Sequence, residues 1–205
     1  MRIGDWEGDT VISHGSRCAL MTIVDRRSKF LFMKKIGRKT MKNTNHAIVN
    51  SLKKHKKSVV PYKIHTILTD NGQQFTNLEH QKYEFPHVFD RVCKEHNIEH
   101  RKTQPAHPWT NGHVERMNKT IKEATLKRYH YSSHDQLHEH LKTFIDAYNF
   151  AKRLKTLNGL TPYEFIINQL ENSPTIFKIN PSSILDHTCW LFRLFGNIDA
   201  GGVTE

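Results

Sequence analysis

The sequence predicts an α/β protein built on a mixed five-stranded sheet flanked by helices. Three observations carry that expectation. Three strand-like runs open the chain with short connections between them, the pattern of an antiparallel meander. Helical and strand patterns then alternate twice, and helices alone follow. No internal repeat is visible, so the elements are expected to pack as one layered domain of about residues 1–168, with residues 169–205 a tail of no assigned role.

Residues 6–12 (Trp-Glu-Gly-Asp-Thr-Val-Ile) read as the first strand. Residues 18–24 are a continuous apolar run, as in a buried strand. Asp25-Arg26-Arg27-Ser28 makes a polar turn, with Asp25 as its turn former, and residues 29–34 form the third strand. A helix is expected at about 41–56, with Met41, Ile48 and Leu52 on one face. Residues 64–69 are the fourth strand, broken after Asp70 by Asn71-Gly72. Residues 76–87 are polar and aperiodic, hence a loop. A short helix at 87–96 presents Val88, Val92 and Cys93, Asn97 closes it, and the fifth strand occupies 98–101. Pro105, Pro108 and Gly112 mark a loop. The next helix, 112–130, buries Val114, Met117, Ile121 and Ala124. Ser133 and Gln136 form a capping-box pattern that opens a helix at 134–150, where Leu137, Leu141, Phe144, Ile145 and Tyr148 line one face. Thr161-Pro162 opens a last short helix with Pro at its first position.

Composition narrows the function. The 205 residues carry a formal net charge of +11, which points to a polyanion, nucleic acid first and an anionic membrane second. No apolar stretch is long enough to span a bilayer, and Met1-Arg2-Ile3-Gly4-Asp5 is no signal peptide, so a cytoplasmic protein is expected. Cys18, Cys93 and Cys189 stand singly, with neither a zinc nor a disulfide pattern. His134, His138 and His140 are expected on a solvated helix face. From Lys34 to Lys57 there are nine Lys/Arg and no Asp/Glu, either a solvated helix face or a phosphate-contacting one.

Against this basic background three acids sit in distinctive contexts. They are Asp9 in Gly-Asp-Thr, Asp70 in Thr-Asp-Asn-Gly, and Glu115 in Asn-Gly-His-Val-Glu-Arg-Met-Asn. Carboxylates at strand ends and a helix start suit a hard divalent cation held against phosphate. Asp70 ends a strand, where open α/β sheets place ligands. Glu115 lies in a first helical turn, where the dipole favours the ionised form. Taken singly, each has a plain structural alternative, an Asx turn or a dipole partner. Strand alternation also puts Asp5 and Glu7 on the face of Asp9, so they compete for its role.

In order and context, these motifs resemble the catalytic core of DDE transposases and retroviral-type integrases, over roughly residues 3–168. The resemblance implies a ribonuclease H-like fold, with Asp9, Asp70 and Glu115 as catalytic ligands of two Mg²⁺ ions, Mn²⁺ being able to substitute. In that fold the first strand is central, so an Asp there is costly unless paired or metal-bound. Sixty residues (10–69) separate the first two acids and 44 (71–114) the last two, the second gap being longer than in compact members; an inserted loop at 76–87 would absorb the excess. The resemblance further implies double-stranded DNA as partner, both element ends and target, and a homo-oligomer when active. Lys119 and Lys122, one and two turns beyond Glu115, are placed as DNA contacts, the plain alternative being a solvated helix face; Arg116 and Asn118 of the motif are placed with them, in roles not separable from packing. Trp109 would either stack on a splayed base or plug the core.

The segment through Lys29 resembles one branch of insertion-sequence transposases and Ile64–Tyr163 another, as in a mosaic. Family members carry an N-terminal helix-turn-helix region. Met1 stands eight residues before Asp9, so the expectation is that this chain lacks one and reads little sequence by itself. Two rivals share these features: an inactive remnant that only binds DNA, and a ribonuclease H-type nuclease. The Asn-Gly-x-Val-Glu-Arg motif argues against the second.

Overall fold

Five strands form one sheet in the order β3-β2-β1-β4-β5: β1 Asp5–Ile12, β2 Ala19–Asp25, β3 Leu31–Ile36, β4 Thr66–Thr69 and β5 Glu99–Lys102. The meander β1-β2-β3 is antiparallel, whereas β4 and β5 run parallel to β1. This is the mixed sheet expected, in a computed structural model that describes residues 2–12, 19–36, 62–77, 86–104, 111–125 and 127–176. The helix expected at 41–56, most of the Lys34–Lys57 block, the centre of the 76–87 loop, Trp109, Cys18, Cys189 and the tail beyond Ile176 lie outside those residues.

β2 is largely apolar on both faces because both of its faces are covered. Met21, Ile23 and Phe32 point with Trp6 and Ile67 into a core closed by α1 (Val88–Glu95) and α4 (Pro162–Asn172), through Phe89, Val92, Ile166 and Leu170. The alternate residues Leu20, Val24, Leu31 and Met33 face α2 (Gly112–Ala124) and α3 (His134–Asp146), through Val114, Met117, Ile121, Leu141 and Ile145. The period of two along β2 and β3 thus divides the core between two helical layers.

Several local expectations shift, each for a physical reason. β3 starts at Leu31, two residues late, because Lys29 adopts a left-handed backbone (φ 60°) in closing the preceding turn. Asp25 does form that turn. Fully buried, it accepts the backbone N–H of Gly4 (2.8 Å), Arg27 (2.9 Å) and Ser28 (2.7 Å). Gly4 sits at φ 94° with a would-be Cβ 2.2 Å from the Lys63 carbonyl, so only glycine fits where β1 and the approach to β4 meet. In α1 Phe89, not Val88, enters the core; Val88 is 36% exposed. α2 stops at Ala124 instead of running to residue 130, and the Thr125 hydroxyl bonds back to the Ile121 carbonyl at 2.6 Å. Ser133 caps α3 as expected, but Gln136 reaches back to Ser132, not to Ser133. Thr161 and Glu164 make a complete capping box on α4. His140 is not free on a solvated face: its Nδ1 lies 2.6 Å from the Tyr131 hydroxyl.

α3 ends at Asp146 and continues as a π turn over Ala147–Ala151, where a continuous α-helix to residue 150 was expected. The widened turn sets Asn149 against the edge of the sheet. Its Oδ1 accepts the Leu31 N–H (2.9 Å) and its Nδ2 donates to the Leu31 carbonyl (2.8 Å), so one side chain satisfies both backbone groups at the start of edge strand β3. Asn149→Leu strands that buried N–H and C=O and is expected to cost about 2–6 kcal/mol, at about 1–3 kcal/mol per group. Urea unfolding checks this, with an unchanged midpoint as the contrary result.

Candidate active site

β1 delivers its carboxylates in alternation. Glu7, Asp9 and Val11 point towards α2, which runs alongside the strand. The three acids that share the face have separate fates. Asp5 pairs with Arg2 at 3.1 Å on the surface. Glu7 is completely buried, and its Oε2 accepts the backbone N–H of His113 (2.8 Å) and Val114 (3.1 Å). These are two of the orphan donors at the start of α2. Asn111, at the N-cap position, makes no side-chain cap bond, so Glu7 supplies the cap from across the fold. Burial pushes the Glu7 pKa up. The Val114 N–H, Arg26, the His113 N–H and Lys29 oppose it. Arg26 Nε stands 3.0 Å from Oε1 as an ion pair, without the alignment of a hydrogen bond. Burial, with Lys29, Arg26 and Arg116, lowers the His113 pKa to about 4, so the ring at the head of α2 is neutral at pH 7.

Asp9 is half-buried at the floor of an open cleft of about 510 Å³, which Glu115 also lines. Its Oδ1 accepts the Thr10 N–H (2.6 Å) and its Oδ2 accepts Asn118 Nδ2 (2.8 Å). Asn118 sits one turn beyond Glu115 and is buried. It therefore braces Asp9, where the motif alone left DNA contact and packing unseparated. Lys119, Lys122 and Lys127 line the same cleft with exposed side chains. Lys127 was not singled out in the sequence: it enters from the turn that follows the early end of α2, the Lys127 N–H bonding the Lys122 carbonyl at 2.9 Å. Arg116 is exposed and does not line the cleft, and Trp109 lies outside the described residues.

Asp70 follows β4, the parallel neighbour of β1. Gly8 stands opposite Thr69, so Asp9 and Asp70 come one step further along adjacent strands. The Asp70 carboxylate is engaged by its own turn, Oδ1 accepting the Gly72 N–H (3.1 Å) and Gln74 Nε2 (3.4 Å). It does not line the cleft with Asp9 and Glu115, and among the described residues no three His, Cys, Asp or Glu side chains stand together as a ready metal cage.

The donors present nonetheless suit a hard cation. Asp9 and Glu115 offer carboxylate oxygens. On the Asp9 side of β1 the buried Asn118 Oδ1, an oxygen of a cleft-lining residue, has no protein hydrogen-bond partner. Mg²⁺ characteristically keeps several waters and binds through one or two carboxylates plus substrate phosphate, without a closed protein cage.

A mixed sheet in this order, with two helical layers and a carboxylate cleft edged by lysines, defines the ribonuclease H-like class. The integrase core domain family matches residues 2–108, and a second integrase core domain description matches residues 96–162. The chain belongs to this family. It is 31% identical over 173 residues to the transposase of insertion sequence element IS4351 from Bacteroides fragilis, covering 82% of this chain and 47% of that protein. It thus spans about half the length of that relative. Among solved structures it resembles the catalytic core domain of BIV integrase, with a TM-score of 0.59 at 18% identity over 83% of this chain and 98% of that one. It also resembles the simian T-cell lymphotropic virus intasome in complex with PP2A regulatory subunit B56 gamma, with a TM-score of 0.59 at 20% identity over 78% and 53%. Among the described residues no helix is long and apolar enough to cross a membrane.

Proposed function

We propose that this chain cuts and joins DNA strands in the transposition or integration of a mobile element, with Asp9, Asp70 and Glu115 as ligands of two Mg²⁺ ions that Mn²⁺ can replace. The observation that carries the reading is the cleft in which Asp9 and Glu115 face three lysines, with Asp70 at the matching step of the next strand. Water attack at an element end would free a 3′-OH, and that hydroxyl would attack a phosphodiester of target DNA. Bound metal supplies activation of the attacking oxygen and neutralisation of the leaving one. The chain's own part is positioning. Asn118 holds the Asp9 carboxylate in place, Glu7 fixes the helix that carries Glu115, and the lysines seat the phosphates. No covalent protein intermediate is needed. Further copies of the chain would be partners, so that two ends are handled together.

The test is strand transfer on oligonucleotides carrying the element's own ends, with Mg²⁺ or Mn²⁺ as the added metal. Joined products that vanish with chelator are expected; DNA binding without cleavage in either metal would favour the inactive remnant. Lys119 and Lys122 give a separate expectation. Replacing both with Gln should weaken binding to any duplex alike and lower the slope of log K against log salt by about two. Anisotropy titrations across a salt series check this, and an unchanged slope would remove these side chains from the phosphate path.

A further inference from the structure

Asp70 is bracketed by contacts to β5 and to the residue that follows that strand, which the catalytic motifs do not anticipate. Before it, the fully buried Thr69 places Oγ1 2.8 Å from His100 Nε2 and donates the same hydroxyl to the Asp70 carbonyl at 3.0 Å. After it, Asn71 Nδ2 donates to the Thr103 carbonyl at 2.8 Å. His100 is itself fixed from behind. Its Nδ1 lies 2.5 Å from Asp90 Oδ1, its side chain is 4% exposed, and its ring meets Phe89 edge to face with centroids 4.5 Å apart.

We propose that Asp90, His100 and Thr69 form a hydrogen-bonded relay that positions Asp70 for metal binding. It rests on the reading of Asp70 as a metal ligand.

The Asp90 carboxylate only accepts, so His100 Nδ1 carries a proton and donates to it. Burial lowers the ring's pKa from its ordinary value, and the Asp90 contact counters it. The Thr69 hydroxyl lies between His100 Nε2 and the Asp70 carbonyl, within hydrogen-bond distance of both. Lys102, 3.7 Å from the other Asp90 oxygen, and His87, at the start of α1, are the other charged or titratable groups around the ring. The chain of contacts thus runs from a partly exposed carboxylate on α1, through a buried ring on β5, to the backbone of the proposed ligand. Partners bonded directly to a ligating side chain commonly change metal affinity about 10- to 100-fold when removed, and a relay that ends on the ligand's backbone belongs at the low end of that range.

The experiment is Mn²⁺ titration of the full chain by electron paramagnetic resonance, free of DNA, with a thermal melt on every variant. Thr69→Val keeps shape and removes the hydroxyl; Thr69→Ser restores it. The expectation is about tenfold weaker Mn²⁺ binding for Thr69→Val and for Asp90→Ala, and near wild-type binding for Thr69→Ser. Asp90 is partly exposed, so Asp90→Ala keeps the test open should Thr69→Val fail to fold. Asp70→Asn separates the two levels of the proposal. If it weakens Mn²⁺ binding while folded Thr69→Val and Asp90→Ala stay within twofold of wild type, the relay is wrong and the metal site stands. If Thr69→Ser weakens binding as much as Thr69→Val, packing and not the hydroxyl is at work, and the relay is again wrong. If Asp70→Asn leaves binding unchanged, Asp70 is no ligand and the relay falls with it.

Discussion

Asp9→Asn should lower metal-dependent strand cleavage by roughly a thousandfold or more while leaving DNA binding intact or tighter. Asn118 Nδ2 donates to Asp9 Oδ2, and an asparagine carbonyl can still accept that bond, at the cost of the bond from the Thr10 N–H to the other oxygen, a modest local loss at β1. What is lost is the negative charge that draws a cation into the cleft. A bound cation contributes several kcal/mol of transition-state charge stabilisation, and each 1.36 kcal/mol is tenfold in rate, which gives about three orders of magnitude. Binding moves the other way, because Asp9 shares its cleft with lysines placed to meet phosphate, and removing an anion there reduces repulsion. Cleavage of an end-labelled duplex, beside anisotropy measured on the same duplex, separates the two effects. Parallel loss of both would mean that Asp9 shapes the DNA surface and carries no chemistry.

Glu7→Ala acts on stability and should cost about 3–5 kcal/mol. The carboxylate is fully buried, faces Arg26, and serves two backbone donors of α2 that Asn111 leaves uncapped. Removing one member of a buried pair costs about 3–5 kcal/mol in general, and each stranded buried donor about 1–3. Because Arg26 keeps about a third of its side-chain exposure, the lower half of that range is expected. At roughly 2–4 °C per kcal/mol for a chain of this size, the melting temperature should fall by about 10 °C. Glu7→Gln retains an acceptor and should lose less. The sign with pH follows from the raised pKa. Folded Glu7 holds its proton to higher pH than an unfolded glutamate does, so its contribution is fully present below the unfolded value and diminishes as pH rises through the folded one. A melt of Glu7→Ala within 2 °C of wild type would show that α2 does not depend on this cap.

The positions of the strands and the antiparallel meander were legible because each rests on local pattern, whereas the strand order was not. A continuous apolar run at β2, short connections and a polar turn at Asp25 are readable within a few residues, as are the motifs around Asp9, Asp70 and Glu115. The missed features are long-range. Glu7 competes with Asp9 in the sequence because both lie on one strand face; only the packing of α2 onto β1, 106 residues away, gives it a different task. Lys127 joins the cleft because Thr125 ends α2 through its hydroxyl, a break that the helical pattern running through residue 130 hides. Phe89 displaces Val88 from the core because His87 caps α1 through Nδ1, accepting the Phe89 N–H at 3.1 Å and so setting the rotation of the helix. The tie from Asp90 through His100 to Thr69 joins three elements, and no single stretch of sequence contains it.

The central claim is that Asp9, Asp70 and Glu115 hold divalent metal. Anomalous scattering from crystals of the full chain grown with Mn²⁺ tests it most directly, since the peak locates the ion whether or not the protein is active. A manganese peak within coordination distance of Asp9 and Glu115, with the Asp70 carboxylate turned from its own loop to meet it, is the expected result. Peaks confined to other carboxylates, with the Asp9 cleft empty at saturating Mn²⁺, would contradict it.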